Sequence, residues 1–552
     1  MKKFFRNSLF MLAAGAFAVS CADYNVTDDF SALPDPSYVE PYKDLGPIKS
    51  YINRDMYPNL TLGATLKATE FNKQDLAHAA AITNFDNVAF GTSLMSGNIV
   101  NAKGVMNFLD MKDLLDHVEE INAEVFGSPI FANANQADDW LNTLTAPIEI
   151  QVDYVEGKEV NFNEESLGAY TGTVEKGKAS IVKYDNQNVL QIGSGAKVRI
   201  IEGFDVDPLA TYTTTFWAKS DKDMTFYVYF SGNKVDGSYS SDGKWQVKAG
   251  KWTKFVVEAQ SAPDETEGYL RIENGLGGTI NIQKVMVGYY PDNHRPQTEE
   301  ERTDTINYAI KAWCDGLMKI NEGRINSFDL IDEAIDTKAT LDNGMYDLKH
   351  STEKIFWQDI LGSENYAPVV SDVASKAYAE YGGDLSQLKF FISESGLDDP
   401  KKVESLNYWI GIWDANGAQI DGINAKLNLF YSEDEATQAA NVASLNTLLD
   451  NLAATGKLIR LSNFDIKYQD AEGNPVTAAK ITEAQRQTLA DYYAYVIRSY
   501  MNKIPNDKQA GICKGNMADT SDPVGIWSID TSSKDWVRTA TYKAFCDALS
   551  GN

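Results

Sequence analysis

The chain is 552 residues long, with 78 acidic against 50 basic side chains and a formal net charge of -28. That length exceeds an ordinary single domain and can bury a large core, so two or three domains are expected. The negative balance excludes the usual electrostatic routes to nucleic acid and to anionic lipid, and it disfavours strongly anionic polysaccharides, so neutral glycans fit better.

Residues 1–20 read as an export signal: Lys2, Lys3 and Arg6 form a positive start, an apolar run follows from Leu9 to Val19, and small residues end in Ser20-Cys21. Ala18-Val19-Ser20-Cys21 resembles a bacterial lipobox, which implies lipidation at Cys21 and attachment to the outer membrane at the cell surface, with contact to the membrane only through the lipid. Simple secretion with a free Cys21 is the alternative. Residues 21–44 are rich in Pro and Asp without periodicity and read as a tether. Its Asp-rich start resembles the surface-export tags of Bacteroidetes lipoproteins. Cys314, Cys513 and Cys546 are scattered without metal-ligand spacing and read as core thiols, one bridge among them being left open. No metal and no cofactor is expected.

From 45 to 146 short apolar strands alternate with helical patterns: Leu60–Ala64, Asn87–Phe90 and Val125–Ile130, with a helix from Phe108 to Ile121. Parallel βαβ units follow from that alternation. Between 147 and 291 the pattern changes to short alternating runs broken by Gly, Asp and Asn: Val189–Ile192, Tyr212–Trp217, Thr225–Phe230, Trp252–Val257 and Tyr269–Ile272. These predict an all-β sandwich. In the third run Tyr227 and Tyr229 share one face and Phe226, Val228 and Phe230 the other, one of which must be core. The run Tyr212–Lys219 resembles the core strand of carbohydrate-binding modules, so the insert is expected to be of that kind, with Trp217, Tyr227, Tyr229, Trp245 and Trp252 as candidate sugar contacts.

From 292 to 552 the alternation resumes. Strands are expected at Phe328–Ile331, Leu388–Ile392, Gly422–Ala425, Leu458–Leu461 and Val524–Trp527, with helices at Thr298–Ile320, Lys401–Ile412, Ala436–Ala453 and Thr482–Met501. Eight strands result. The economical fold is an α/β (β/α)8 TIM barrel interrupted after its third strand by the β-sandwich.

Phe328-Asp329-Leu330-Ile331-Asp332-Glu333-Ala334 ends an apolar strand in two carboxylates. It resembles the Trp-Asp-Val-Val-Asn-Glu-Ala signature of glycoside hydrolase family 10, the endo-β-1,4-xylanases. The resemblance places the general acid/base on Glu333. Phe356-Trp357, Gln419-Ile420-Asp421-Gly422-Ile423, and Trp527 followed by Trp536 extend it, and the two tryptophans resemble those lining the family's cleft.

A retaining glycosidase needs two carboxyl groups about 5–5.5 Å apart at the C-terminal rim of the barrel. The family's nucleophile lies in a Thr-Glu-Leu-Asp run, which falls here on Ser462-Asn463-Phe464-Asp465. Asn463 replaces the nucleophile, and an amide cannot attack in its place. The sugar-gripping positions also differ: the strand 2 residues fall near Thr92, Ser93 and Met95, the strand 3 histidines and tryptophan are lost in Gly127–Asn133, and the family's Asn, Gln and His fall on Asp332, Lys426 and Asn428. Asp465, Asp332 and Glu394 are the carboxylates that would have to rescue catalysis. Asp465 lies on the face of Asn463 but about 6.5 Å along the strand; Asp332 should point away from Glu333 unless a loop conformation turns it inward; Glu394 sits at the rim of strand 5, where it would activate water for an inverting reaction.

The expected function is a surface-anchored, non-catalytic lipoprotein that holds a neutral plant polysaccharide such as xylan, with Asp332, Asn133, Lys426, Asn428, Trp527 and Trp536 as sugar contacts and an outer-membrane glycan uptake system as a partner. The alternative is an active endo-β-1,4-xylanase or related hydrolase with a relocated second carboxylate. A third reading is a scaffold for protein partners.

Overall fold

A computed structural model describes residues 42–551 apart from 122 and 531–532. The expected signal peptide, Cys21 and nearly all of the expected tether therefore lie outside the described residues. The chain divides into two compact units, one made of residues up to Leu141 together with those from Ile306 onward, the other of Asn142–Thr305.

The first unit is a parallel barrel. Its strands are β1 (Leu62–Thr65), β2 (Asn87–Ala89), β3 (Glu124–Phe126), β4 (Phe131–Ala132), β5 (Ser327–Asp332), β6 (Lys389–Ser395), β7 (Gly422–Lys426), β8 (Leu458–Ser462) and β9 (Gln509–Lys514). They pair in the order β3-β2-β1-β9-β8-β7-β6-β5-β4. β3 and β4 are two pieces of one stretch of chain, so the ring closes: Gly127, between them, bridges Phe328 of β5. Closure requires glycine there, since a Cβ would stand 2.1 Å from the Phe328 ring. Helices α1 (Leu76–Asn84), α2 (Leu109–Ile121), α3 (Glu299–Asn321), α4 (Tyr366–Glu380), α5 (Pro400–Ala415), α6 (Glu435–Ala454), α7 (Glu483–Lys503) and α8 (Ala540–Leu549) intervene or follow. Local chemistry sets their starts. Asp399 caps α5 ahead of Pro400, and Thr482 with Gln485 forms a capping box on α7.

One strand is not where the hydrophobic pattern placed it. The eighth barrel position belongs to Gln509–Lys514, while Trp527–Ile529 pairs with Trp536–Arg538 in a hairpin off the barrel sheet. Ala510-Gly511-Ile512-Cys513-Lys514 lacks a sustained apolar run, and its lysine is nonetheless buried because an acid pairs with it.

The second unit packs a seven-stranded and a six-stranded antiparallel sheet around one apolar core, to which Phe216, Val257 and Ile282 contribute from the first sheet and Phe226, Val228 and Ile272 from the second. Alternation decides the faces. Phe226, Val228 and Phe230 point into that core and Tyr227 and Tyr229 point out, half-buried.

Candidate functional site

At the C-terminal mouth of the barrel lies a cavity of about 210 Å³, lined among others by Asp329, Asp332, Lys426, Arg460, Ser462 and Asn463. Asp329 and Asp332 are three residues apart, a spacing that strict alternation would send to opposite faces. A β-bulge resolves this. Asp329 pairs with Phe391 and Ile331 with the next residue, Ile392, so Leu330 is the extra residue on β5 and the phase after it is reversed. Asp332 consequently lines the cavity, contrary to the expectation that it points away, and Glu333 follows the strand with a positive φ of 53°.

Glu333 is wrapped in cations. Its Oε1 lies 2.9 Å from Lys426 Nζ, and its Oε2 lies 3.8 Å from Lys402 Nζ and 3.9 Å from Lys349 Nζ; the Ser395 N–H also donates to Oε1 at 2.8 Å. Burial pushes its pKa up, but the charge and hydrogen bond of Lys426, the Ser395 bond and Lys402 outweigh it and leave the carboxyl at about 2. In this arrangement the carboxyl is held as an ion-paired anion. Lys426 also reaches Asp332 Oδ1 at 2.5 Å, where Ser393 Oγ donates as well. Burial alone would lower the lysine; its two carboxylate partners raise it.

The carboxylates named as rescues are spoken for. Asp465 ion-pairs with the buried Lys514 and accepts from the Asn516 backbone at 3.0 Å and side chain at 2.6 Å. A tight turn, in which Asp465 N–H donates to the Asn463 carbonyl at 2.7 Å, separates it from Asn463, itself exposed with a φ of 51°. Asparagine tolerates that backbone. Glu394 is 0% exposed, accepts from the Ile335 N–H at 2.9 Å and lies 2.7 Å from Lys402 Nζ. Burial raises its carboxyl to about 7. It has no face on which to hold a water.

Beneath the mouth the barrel interior carries a polar layer where bulky aliphatics are customary. Asp329 accepts from Asn424 Nδ2 on both oxygens, at 3.0 and 2.9 Å, and the Arg460 guanidinium lies 3.9 Å from the Phe126 ring centre. Burial, then the neighbouring Asp332 charge, lifts Asp329 to about 7. Arg460, Lys402, Lys514, Asp329 and Asn424 were not anticipated from the sequence, although a signal existed. Each is a charged or amide residue inside or beside a buried strand or helix face, and such groups persist only when paired.

Other anticipated contacts are placed elsewhere. Trp527 is buried, with ring centres 5.7 Å from Trp536 and 5.5 Å from Tyr542, and so is packing. Neither tryptophan lines the cavity, nor do Asn133, half-buried after β4, or the exposed Asn428. Of the insert's aromatics, Trp245 packs edge-on against Phe255 and donates to the Val235 carbonyl, whereas Trp217, Tyr227, Tyr229 and Trp252 are half-buried on the surface. Cys314, Cys513 and Cys546 are free, buried thiols.

The first unit is thus a (β/α)8 barrel with a polar, ion-paired mouth. Residues 291–522 match the model of glycosyl hydrolase family 10. Solved structures agree in fold: xylanase B from Clostridium stercorarium F9 (12% identity, TM-score 0.51, covering 91% of this chain and 100% of that one) and xylanase XynB from Paenibacillus barcinonensis (9%, TM-score 0.50, 91% and 99%). A mutant protein solved in complex with xylotriose is similar to the same degree (11%, TM-score 0.50, 91% and 99%). No curated protein matches this chain in sequence.

Proposed function

We propose that this protein is a cell-surface lipoprotein that binds a neutral xylan-like β-glycan on a family 10 barrel without hydrolysing it, serving polysaccharide capture. The observation that carries the reading is the ion-paired state of Glu333: with Asn463 at the nucleophile position and Lys426 seated on the acid, neither half of a double displacement is present. The cavity beside them keeps hydroxyl, amide and paired charged groups, which suit sugar hydroxyls. One similar structure holds xylotriose, which supports this ligand class. The lipid anchor at Cys21, the carbohydrate-binding nature of the insert and delivery to an outer-membrane uptake protein are parts of the same reading.

The competing reading, an endo-β-1,4-xylanase with a relocated carboxylate, draws on Glu394 as the group that would activate water; its carboxyl near 7 is in the range for acid–base work, but it is 0% exposed in this fold. Release of reducing ends from xylan and mixed-linkage β-glucan, run beside Glu333→Gln, separates the two. No release by either protein is expected. Release by the parent and not by the variant would overturn the binding reading.

A further inference from the structure

Arg460 is the exception among the buried charges of the barrel. It is 2% exposed, yet among the described residues no hydrogen bond and no ion pair reaches its guanidinium, and its Nη2 is buried without a partner. The Phe126 ring, 3.9 Å from the guanidinium centre, covers one face of the group and accepts none of its in-plane N–H donors. Stripping an ion of water is costly, so a buried cation is ordinarily kept by an anion or by several acceptors. Alternation along β8 turns Arg460 and Ser462 to the mouth cavity and Ile459 and Leu461 away from it.

Two more groups lining the same cavity are buried and unpartnered, Ser128 Oγ and Asn424 Oδ1; the amide of Asn424 gives its Nδ2 to Asp329 and keeps its oxygen free. The charges around the cavity do not cancel. Lys426 meets Asp332 and Glu333, and Lys402 and Lys349 lie near Glu333 as well. Burial lifts the Asp329 carboxyl to about 7, so below that pH it carries no charge to set against Arg460. The net charge of -28 belongs to the whole chain, whereas this cavity holds an uncompensated cation.

A planar guanidinium edge matches a carboxylate with two parallel N–H···O bonds, a serine hydroxyl donates or accepts, and an amide oxygen accepts from a hydroxyl. A volume of about 210 Å³ has room for one sugar ring with its substituents and not for a chain of them. We infer that the barrel mouth binds a sugar acid, a single uronic acid unit whose carboxylate seats on Arg460 and whose hydroxyls meet Ser128 and Asn424. The inference rests on the glycan-capture reading and names the unit that the mouth recognises: an acidic residue carried by an otherwise neutral β-glycan.

Calorimetric titration of the full chain at pH 6 with glucuronate, galacturonate, glucose, acetate and xylohexaose tests it, beside Arg460→Met and Arg460→Lys. Expected is binding of a uronate, with glucose and acetate weaker by about tenfold or more, since one lacks the carboxylate and the other the ring. Arg460→Met should weaken uronate binding about tenfold or more while its denaturant midpoint equals or exceeds the parent's, because it removes a buried charge that no group of the protein meets. Arg460→Lys, which keeps the charge without the fork, should fall between. Equal uronate affinity in Arg460→Met, or no uronate binding by the parent, overturns the inference and leaves the guanidinium to water. Xylohexaose reads the capture proposal separately: its binding without a uronate leaves glycan capture standing and removes the acid site, uronate binding without it keeps the acid site and removes capture of the neutral chain, and binding of neither overturns both.

Discussion

Lys426 Nζ stands 2.9 Å from Glu333 Oε1, so a lysine at the mouth of the barrel is ion-paired with the carboxylate at the position expected of the acid. The same ammonium holds Asp332 at 2.5 Å. The proposed absence of hydrolysis therefore rests on two features, the amide of Asn463 and this ion pair.

Replacing Lys426 by Gln should let Glu333 titrate well above about 2, toward the ordinary carboxylate range. Held low in the fold, Glu333 favours folding above its ordinary pKa near 4 and loses that contribution as pH falls toward 2. Carboxylate titration by NMR should show the rise, and Lys426→Gln should flatten the acid limb of stability. The single variant should stay inactive on xylan, because Asn463 still supplies no nucleophile.

Asp329 works in the opposite sense. Its carboxyl is raised to about 7 by burial, so the folded state holds a proton that the unfolded chain has released above about 4. Stability should fall as pH rises between those values. Urea denaturation at pH 5 and pH 8 should show a smaller difference for Asp329→Asn than for the parent. An equal difference would mean that Arg460 keeps Asp329 ionised throughout.

Asp465 neutralises Lys514, whose side chain is 0% exposed. Asp465→Ala leaves that ammonium buried without a counter-charge, a change that costs about 3–5 kcal/mol. Denaturant midpoints would show it, with glycan affinity of the folded fraction unchanged.

Trp527→Ala separates packing from recognition. Its ring is buried between Trp536 and Tyr542, so truncation should cost about 3–5 kcal/mol of stability. Affinity for xylohexaose in the folded fraction should stay as in the parent. A large affinity loss without destabilisation would put Trp527 back in the cleft.

Much of this was legible beforehand. The alternation of short apolar runs with amphipathic stretches marks the barrel, and the helices expected at Lys401–Ile412, Ala436–Ala453 and Thr482–Met501 coincide with α5, α6 and α7, Thr482 being the cap of α7. The period-two pattern of Thr225–Phe230 separates core from surface correctly. The amide at Asn463, where the resemblance places a nucleophilic carboxylate, is visible without coordinates.

Other features depend on long-range contacts that periodicity does not encode. A bulge at Leu330 arises from pairing between β5 and β6, and it reverses which of Asp332 and Glu333 faces the cavity. Lys426 reads as a lost glutamine until the fold brings it from β7 to two carboxylates 93 and 94 residues earlier. The eighth strand was hidden because Lys514 breaks its apolar pattern, and only the acid it meets in space makes its burial tolerable. The sequence by itself determined the secondary-structure alternation and the amide at Asn463, both local properties of residue type and spacing. Only the tertiary structure decided which charges neutralise one another, because Coulomb pairing depends on distance in space and not on separation along the chain.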